Sequence, residues 1–337
     1  MKNMIEFLKK TSTGAVEIYE EKGRVYLARF SHEQREAYLY KPDFYTKTFA
    51  TSGIIIAFET KAKSICAKTA IEQGSSRSFF YFDTYVNGVL CDHSGGQFEK
   101  GTETDFNLNI ELADGKKLVE IYFPQLACAS VKDFLFDGIS VSDLCGEKWR
   151  PVEKNGKRVL FFGDSITQGY DAEHPSYDYA AITARRNGYE FVNKGIGGDV
   201  HNSRVLFKDS FDPELIFVAY GTNDWNGMPT RESFVSNIKG FYEKLTSIYP
   251  TTPIVAISPV WRKDNDIERP TGDFFGIHDT ICDICADFEN VTVVDGMNFV
   301  GRCEELFSDK KLHPNDLGFF TYAESLCRKL IEIGFIE

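Results

Sequence analysis

The stretch Arg158-Val159-Leu160-Phe161-Phe162-Gly163-Asp164-Ser165-Ile166-Thr167-Gln168-Gly169 decides how this 337-residue chain is read. Its first half is a short unbroken apolar run, the pattern of a strand covered on both faces. Gly163 ends the run, and a polar turn carries Ser165 into the next segment. Four further strand candidates follow at 190–193, 215–219, 254–258 and 291–294, and helical patterns lie at 177–186, 231–249, 274–288 and 314–333. Alternating strands and helices imply a parallel sheet, because each parallel crossover needs a covering segment. Residues 158–337 therefore read as an α/β domain.

Upstream the rhythm is different. Short segments rich in β-branched and aromatic residues recur at 24–30, 36–40, 53–60, 64–71, 78–86, 106–112, 117–123 and 134–141. Asn87-Gly88 and Asp114-Gly115 read as hairpin turns, since both dipeptides tolerate positive φ. Residues 1–145 thus read as an all-β sandwich, of jelly-roll type. The polar stretch 146–157, with Pro151, Asn155 and Gly156, reads as the linker.

Composition narrows the function. A formal charge of -12 argues against nucleic acid and against adsorption to an anionic membrane. No segment has the length and apolarity of a membrane span, and the N-terminus carries no signal-like run, so the expected location is the cytoplasm. The eight cysteines are irregularly spaced, which suits reduced, mostly buried thiols. Cys282 and Cys285 form a CxxC, but Ile277, Ile281, Ile284, Cys285 and Phe288 mark the buried face of a helix there, and nothing completes a zinc site. No metal and no cofactor is expected.

In an open parallel sheet the reactive groups gather at the carboxyl ends of the strands. Four loops there carry chemistry: Gly163-Asp164-Ser165, Gly195-Ile196-Gly197-Gly198-Asp199, Gly221-Thr222-Asn223-Asp224-Trp225, and Leu312-His313-Pro314-Asn315. A serine hydroxyl needs an adjacent base to become a nucleophile, and His313 is the candidate. The tetrahedral oxyanion of acyl transfer needs fixed donors, which the N–H groups of Ser165 and Gly198 and the amide of Asn223 could supply. Taken singly, each loop also has a bland reading: a turn, a cap or a helix entrance. All four falling in order on one side of one sheet favours the catalytic reading.

These four blocks resemble those of the SGNH (GDSL-type) hydrolases over residues 158–327. The resemblance implies a flavodoxin-like three-layer α/β/α domain, metal-free ester hydrolysis, and roles for Ser165, Gly198, Asn223 and His313. The N-terminal half is similar in layout to the jelly-roll domain preceding the catalytic domain in carbohydrate esterase family 2. The family usually places Asp three residues before the histidine, where this chain has Lys310; Asp309 stands one step earlier. A bulged loop could let Asp309 complete the triad, which is the favoured reading. A backbone carbonyl could instead serve a Ser–His dyad, or the site could be impaired. Asp295 is a remoter candidate.

The pair Trp261-Arg262 resembles one found at this loop in several family members, and Trp225 follows Asn223 within its block; all three are candidate substrate-binding residues. The expected function is a short-chain O-acyl esterase, acetyl above all, acting on a carbohydrate, with a small-molecule or oligosaccharide ester as substrate. A lysophospholipase- or thioesterase-like hydrolase and a catalytically impaired carbohydrate-binding protein are the alternatives. His174 and His201 lie on loops without an assigned role. Homo-oligomerisation is left open.

Overall fold

A computed structural model describes residues 2–336 except Cys145 and Glu147, so that part of the expected boundary near 145–147 lies outside the described residues. The chain divides into two compact units. The first comprises Met1–Arg35, Lys41–Asn155 and His174–Ser176; the second comprises Glu36–Tyr40, Gly156–Glu173 and Tyr177–Glu337.

The first unit is built from two antiparallel sheets. One runs β1 (Ser12–Thr13), β4 (Ile55–Thr60), β9 (Lys117–Tyr122), β6 (Phe79–Val86), β7 (Val89–Gln97), with β12 (Trp149–Pro151) also on β4. The other runs β2 (Glu17–Glu21), β3 (Arg24–Ala28), β10 (Ala127–Phe136), β5 (Ser64–Gln73), β8 (Thr104–Glu111), with β11 (Ile139–Ser140) on β10. Taking β3 to β10 as eight consecutive strands, the orders 3-10-5-8 and 4-9-6-7 are those of a jelly roll. Alternate residues of each strand point inward, as in the buried–intermediate alternation of β4, and fill one core that includes Ile56, Phe58, Phe82, Val119, Val131 and Phe134. Helix α1 (Lys2–Thr11) contributes Phe7, which packs on Phe58, Phe134, Phe136 and Trp149.

Two expectations here are corrected. Residues 36–40 are not a strand: helix α2 (His32–Ala37) and a turn occupy them, ahead of the short helix α3 (Pro42–Lys47). The signal was a capping box, since Ser31 Oγ accepts from Gln34 N–H and Gln34 Oε1 accepts from Ser31 N–H. Asp114-Gly115 is not a hairpin either, because β8 pairs with β5 and β9 with β4 and β6, on opposite sheets. Asn87-Gly88 does join paired strands, with φ of 50° and 79° and Val86 opposite Val89. The stretch expected as a linker carries β12.

In the second unit a parallel sheet runs β14 (Glu190–Asn193), β13 (Arg158–Gly163), β15 (Leu215–Ala219), β16 (Ile254–Ile257), β17 (Val291–Val294). This is the 2-1-3-4-5 order of flavodoxin-like folds. Helices α5 (Tyr179–Asn187) and α9 (Asp316–Glu332) pack together, with Tyr179 stacked on Tyr322, while α7 (Arg231–Ile248) packs with α8 (Ile277–Cys285). The central strands are therefore buried nearly throughout, which explains their unbroken apolar runs. Order reverses between β13 and β15, and the loops after β13, β14 and β15 meet there.

Candidate active site

Ser165 opens the one-turn helix α4 (Ser165–Gln168) directly after β13. Gly163 is required at the strand end: a Cβ there would run into the Thr167 side chain and the Ala219 carbonyl. Asp164 caps the turn, its carboxylate accepting from Ile166 N–H at 3.0 Å. Burial pushes the Asp164 carboxyl up to about 7, against the opposing pull of that hydrogen bond and of nearby His313.

His313 comes from the loop before α9. Its Nε2 lies 3.0 Å from Ser165 Oγ, and its Nδ1 lies 2.8 Å from Asp309 Oδ2. A carboxylate on Nδ1 holds the proton there and leaves Nε2 as an acceptor for the serine hydroxyl. Asp309 is itself fixed by the loop: its Oδ1 accepts from the N–H groups of Lys311 at 2.9 Å, Leu312 at 2.7 Å and His313 at 3.1 Å. Burial works to raise its pKa, but hydrogen bonds from His313 and from the Leu312 and Lys311 amides prevail and hold the carboxyl well below its ordinary range. Tyr170 stacks on the imidazole, and Asp171 Oδ2 stands 3.6 Å from Nδ1. Asp295, the remoter candidate, instead accepts from Ser258 Oγ and Met297 N–H.

The second loop is locked onto the first, and the third onto the second. Asn193 Nδ2 donates to the Thr167 carbonyl at 2.6 Å, and Gly197 N–H donates to Gln168 Oε1 at 2.8 Å. Gly198 follows with φ 86°, a conformation only glycine adopts cheaply, and it is exposed. Among the described residues, neither the Ser165 nor the Gly198 N–H is spent in a hydrogen bond. Asn223 lies in the first turn of the short helix α6 (Thr222–Gly227). Its Nδ2 donates to the Asp199 carbonyl at 3.0 Å, which leaves its second N–H. Tyr38 donates to Asp199 Oδ2 at 2.7 Å, and burial raises that carboxyl to about 6.

The aromatic and basic candidates separate. Trp225 is 1% exposed; its Nε1–H donates to the Gly272 carbonyl, and Arg262 and Arg269 each lie 5.1 Å from its ring. An indole so enclosed is no cleft wall, and the expectation that it binds substrate is corrected. Arg262, 4% exposed, is also turned inward: it forks onto Asp264 at 2.6 and 3.0 Å and donates to Thr222 Oγ1 at 2.9 Å. Its guanidinium is committed to the protein, so it acts as a bracket rather than a substrate contact. Trp261 remains half-buried, packed on Phe307. His201 is buried with Nδ1 at 3.1 Å from Asp224, within a wall of Tyr220, Phe241 and Tyr242.

Sequence reasoning missed Asp171, Tyr38 and the pair Asp264–Lys311, because none sits in a recognisable block. Lys311, within the histidine loop, pairs with Asp264 at 2.8 Å, and Lys263 N–H donates to the Lys311 carbonyl.

Residues 161–319 match the GDSL-like lipase/acylhydrolase family. Solved structures similar to the chain include the salicylyl-acyltransferase SsfX3 from a tetracycline biosynthetic pathway, with TM-score 0.81 and 23% identity over 96% of this chain and 94% of that one. A family two carbohydrate esterase from Clostridium thermocellum, in complex with cellohexaose, gives TM-score 0.62 and 16% identity over 85% and 94%. The acetyl xylan esterase Est2A from Butyrivibrio proteoclasticus gives 0.59 and 16% over 86% and 92%. No curated protein matches the chain by sequence. The stretch that matches the GDSL-like family model thus lies, His174–Ser176 apart, within the second unit, and the first unit is a jelly roll. Among the described residues, no helix is long and apolar enough to cross a membrane.

Proposed function

We propose that the protein is a serine esterase that removes short O-acyl groups, acetyl above all, from a carbohydrate. The observation that carries the reading is the chain of contacts from Ser165 Oγ to His313 Nε2 at 3.0 Å and from His313 Nδ1 to Asp309 at 2.8 Å. Ser165 Oγ attacks the ester carbonyl while His313 takes its proton, Asp309 stabilising the imidazolium that forms. The oxyanion is met by the N–H groups of Ser165 and Gly198 and the free N–H of Asn223. His313 then protonates the departing alkoxide, and water, deprotonated by the same imidazole, releases the acid.

Short acyl chains suit the half-buried Trp261 as a pocket wall, and the carbohydrate esterase likenesses support a sugar as the alcohol. The likeness to an acyltransferase supports a second outcome, in which an alcohol rather than water accepts the acyl group from Ser165. The test is hydrolysis of 4-nitrophenyl acetate, butyrate and octanoate and of acetylated xylo- and cello-oligosaccharides, beside Ser165→Ala and His313→Ala. Preference for acetate with loss in both variants is expected. Preference for octanoate would remove the short-chain assignment, and turnover unchanged in Ser165→Ala would remove the mechanism. Ester exchange in the presence of added alcohols would favour the transferase outcome.

A further inference from the structure

We propose that Asp83, His93 and His174 form a site for one divalent transition-metal ion of the zinc type. All three residues belong to the first unit, and the site is distinct from the Ser165–His313 pair.

The placement begins with the hairpin of β6 and β7. Asp83 and His93 are directly opposed cross-strand partners, so their side chains rise from the same face. His174 comes from a separate segment. Asp83 is fully buried, and the two imidazoles retain only 23% and 24% exposure. Both turn the same nitrogen to the same oxygen: His93 Nδ1 lies 2.7 Å and His174 Nδ1 lies 2.9 Å from Asp83 Oδ1. The three atoms lie within 4.8 Å of one another.

Two imidazole nitrogens and one carboxylate oxygen, converging on one point, are the donor set of open zinc sites. Zinc–nitrogen and zinc–oxygen bonds of about 2.1 Å in a tetrahedron separate donors by about 3.4 Å, so each nitrogen needs to draw back from the carboxylate oxygen by only about 0.5–0.7 Å. The carboxylate is anchored from outside, as a ligating carboxylate is. Asp83 Oδ2 accepts from Ser176 N–H at 3.0 Å and from Ser176 Oγ at 2.5 Å, which fixes the carboxylate and leaves Oδ1 to face the imidazoles. Tyr85 contacts Ser176 Oγ at 3.1 Å, and Tyr81 stacks on His93 with centroids 4.5 Å apart. The imidazoles themselves are 3.9 Å apart and tilted by 37°. Asp83 is already served by Ser176 through Oδ2, and the convergence of two imidazole nitrogens on the remaining oxygen is the arrangement that a shared cation would organise. The spacing of Asp83, His93 and His174 matches no metal motif, so nothing in the linear order of residues pointed to the cluster.

The experiment uses the full chain, stripped with a chelator, and the ions Zn²⁺ and Co²⁺ themselves. Binding is measured by competition with a chromophoric chelator, and Co²⁺ geometry by its visible absorption. Asp83→Asn risks unfolding a buried group, so the variants are His93→Gln and His174→Gln, with folding checked by circular dichroism. His313→Ala controls for a cation held by His313, Asp171 and Asp309. One ion per chain, the intense visible bands of low-coordinate Co²⁺, and at least about 100-fold weaker binding in each glutamine variant are expected, beyond what loss of an outer partner costs. His313→Ala should bind as the wild type does. Absence of stoichiometric binding by the wild type, or binding that disappears in His313→Ala and survives in both glutamine variants, would overturn the site and leave a hydrogen-bonded cluster.

Discussion

Asp309 reaches His313 from four residues upstream because Lys310 between them takes a left-handed conformation, with φ 58°. That single reversal absorbs the extra residue and lets the carboxylate curl back over the Lys311, Leu312 and His313 amides. A β-branched residue at this φ is strained by about 1–2 kcal/mol, whereas glycine is not. Lys310→Gly should therefore keep wild-type kcat on an acetate ester. Lys310→Val should lower kcat about tenfold or more with little change in KM. Steady-state kinetics of the two variants make the comparison, and equal rates would show that the turn is not what aims Asp309.

Two carboxylates flank His313 Nδ1, at 2.8 Å for Asp309 and 3.6 Å for Asp171. The shorter contact should decide the tautomer. Asp309→Asn is expected to lose up to about 10⁴ in kcat, the loss that follows when a triad's orienting carboxylate becomes an amide. Asp171→Asn should lose less than about tenfold, as a charge acting at longer range. Should the two losses come out alike, the imidazole is held by both acids jointly. A third outcome, full activity in Asp309→Asn, would make the machinery a Ser–His dyad.

Arg262 ties the loop after β15 to the histidine loop: it donates to Thr222, pairs with Asp264, and Asp264 pairs in turn with Lys311. Burial works against ionisation of Asp264, but Arg262 and Lys311 together bring its carboxyl down to about 2. Arg262→Ala leaves that largely covered acid with only Lys311 and should cost up to about 3 kcal/mol, the lower end for breaking a fully buried pair. Arg262→Lys keeps the charge but not the fork, and should retain more of the stability while still lowering kcat through a displaced His313. Urea unfolding beside kinetics separates the effects. A residue that bound substrate directly would instead raise KM with stability intact.

The parallel sheet was legible because strands covered on both faces leave unbroken apolar runs, and the blocks at their carboxyl ends were legible because Gly163, Gly198 and the Asn223 turn are local necessities. The pairing partner of a β-strand is not local. Asp114-Gly115 has hairpin chemistry, yet the jelly roll sends its flanking strands to different sheets. Trp225 and Arg262 looked like a substrate surface because aromatic and basic residues beside a catalytic block suggest one; only burial reveals that each satisfies the other. The approach of Asp309 to His313 depended on the sign of one φ angle, which residue type at 310 does not announce. Asp83, His93 and His174 are brought together by strand register and a distant loop, and no spacing rule covers that.

Asp164 gives the stability of the second unit a pH dependence of known sign. Burial raises its carboxyl from an ordinary 3.8 to about 7 in the folded chain. A raised acid contributes fully below its unfolded value and loses that contribution as pH climbs through the folded value, because ionisation then draws the chain toward the unfolded state. Wild-type stability should therefore decline between about pH 4 and pH 7 on this account. Asp178, raised to about 7, and Asp199, raised to about 6, act in the same direction. Asp164→Asn keeps an oxygen for Ile166 N–H and removes one of these titrations. Its advantage over the wild type should widen from pH 5 to pH 8, by at most about 1.4 kcal/mol per pH unit within the window. Unfolding in urea, followed by tryptophan fluorescence with Trp149 of the first unit replaced by Phe in both proteins, measures the difference at each pH. Parallel profiles for the two proteins would mean that Asp164 is already ionised in the folded chain at pH 5, and that the surrounding dipoles stabilise the charge more than burial penalises it.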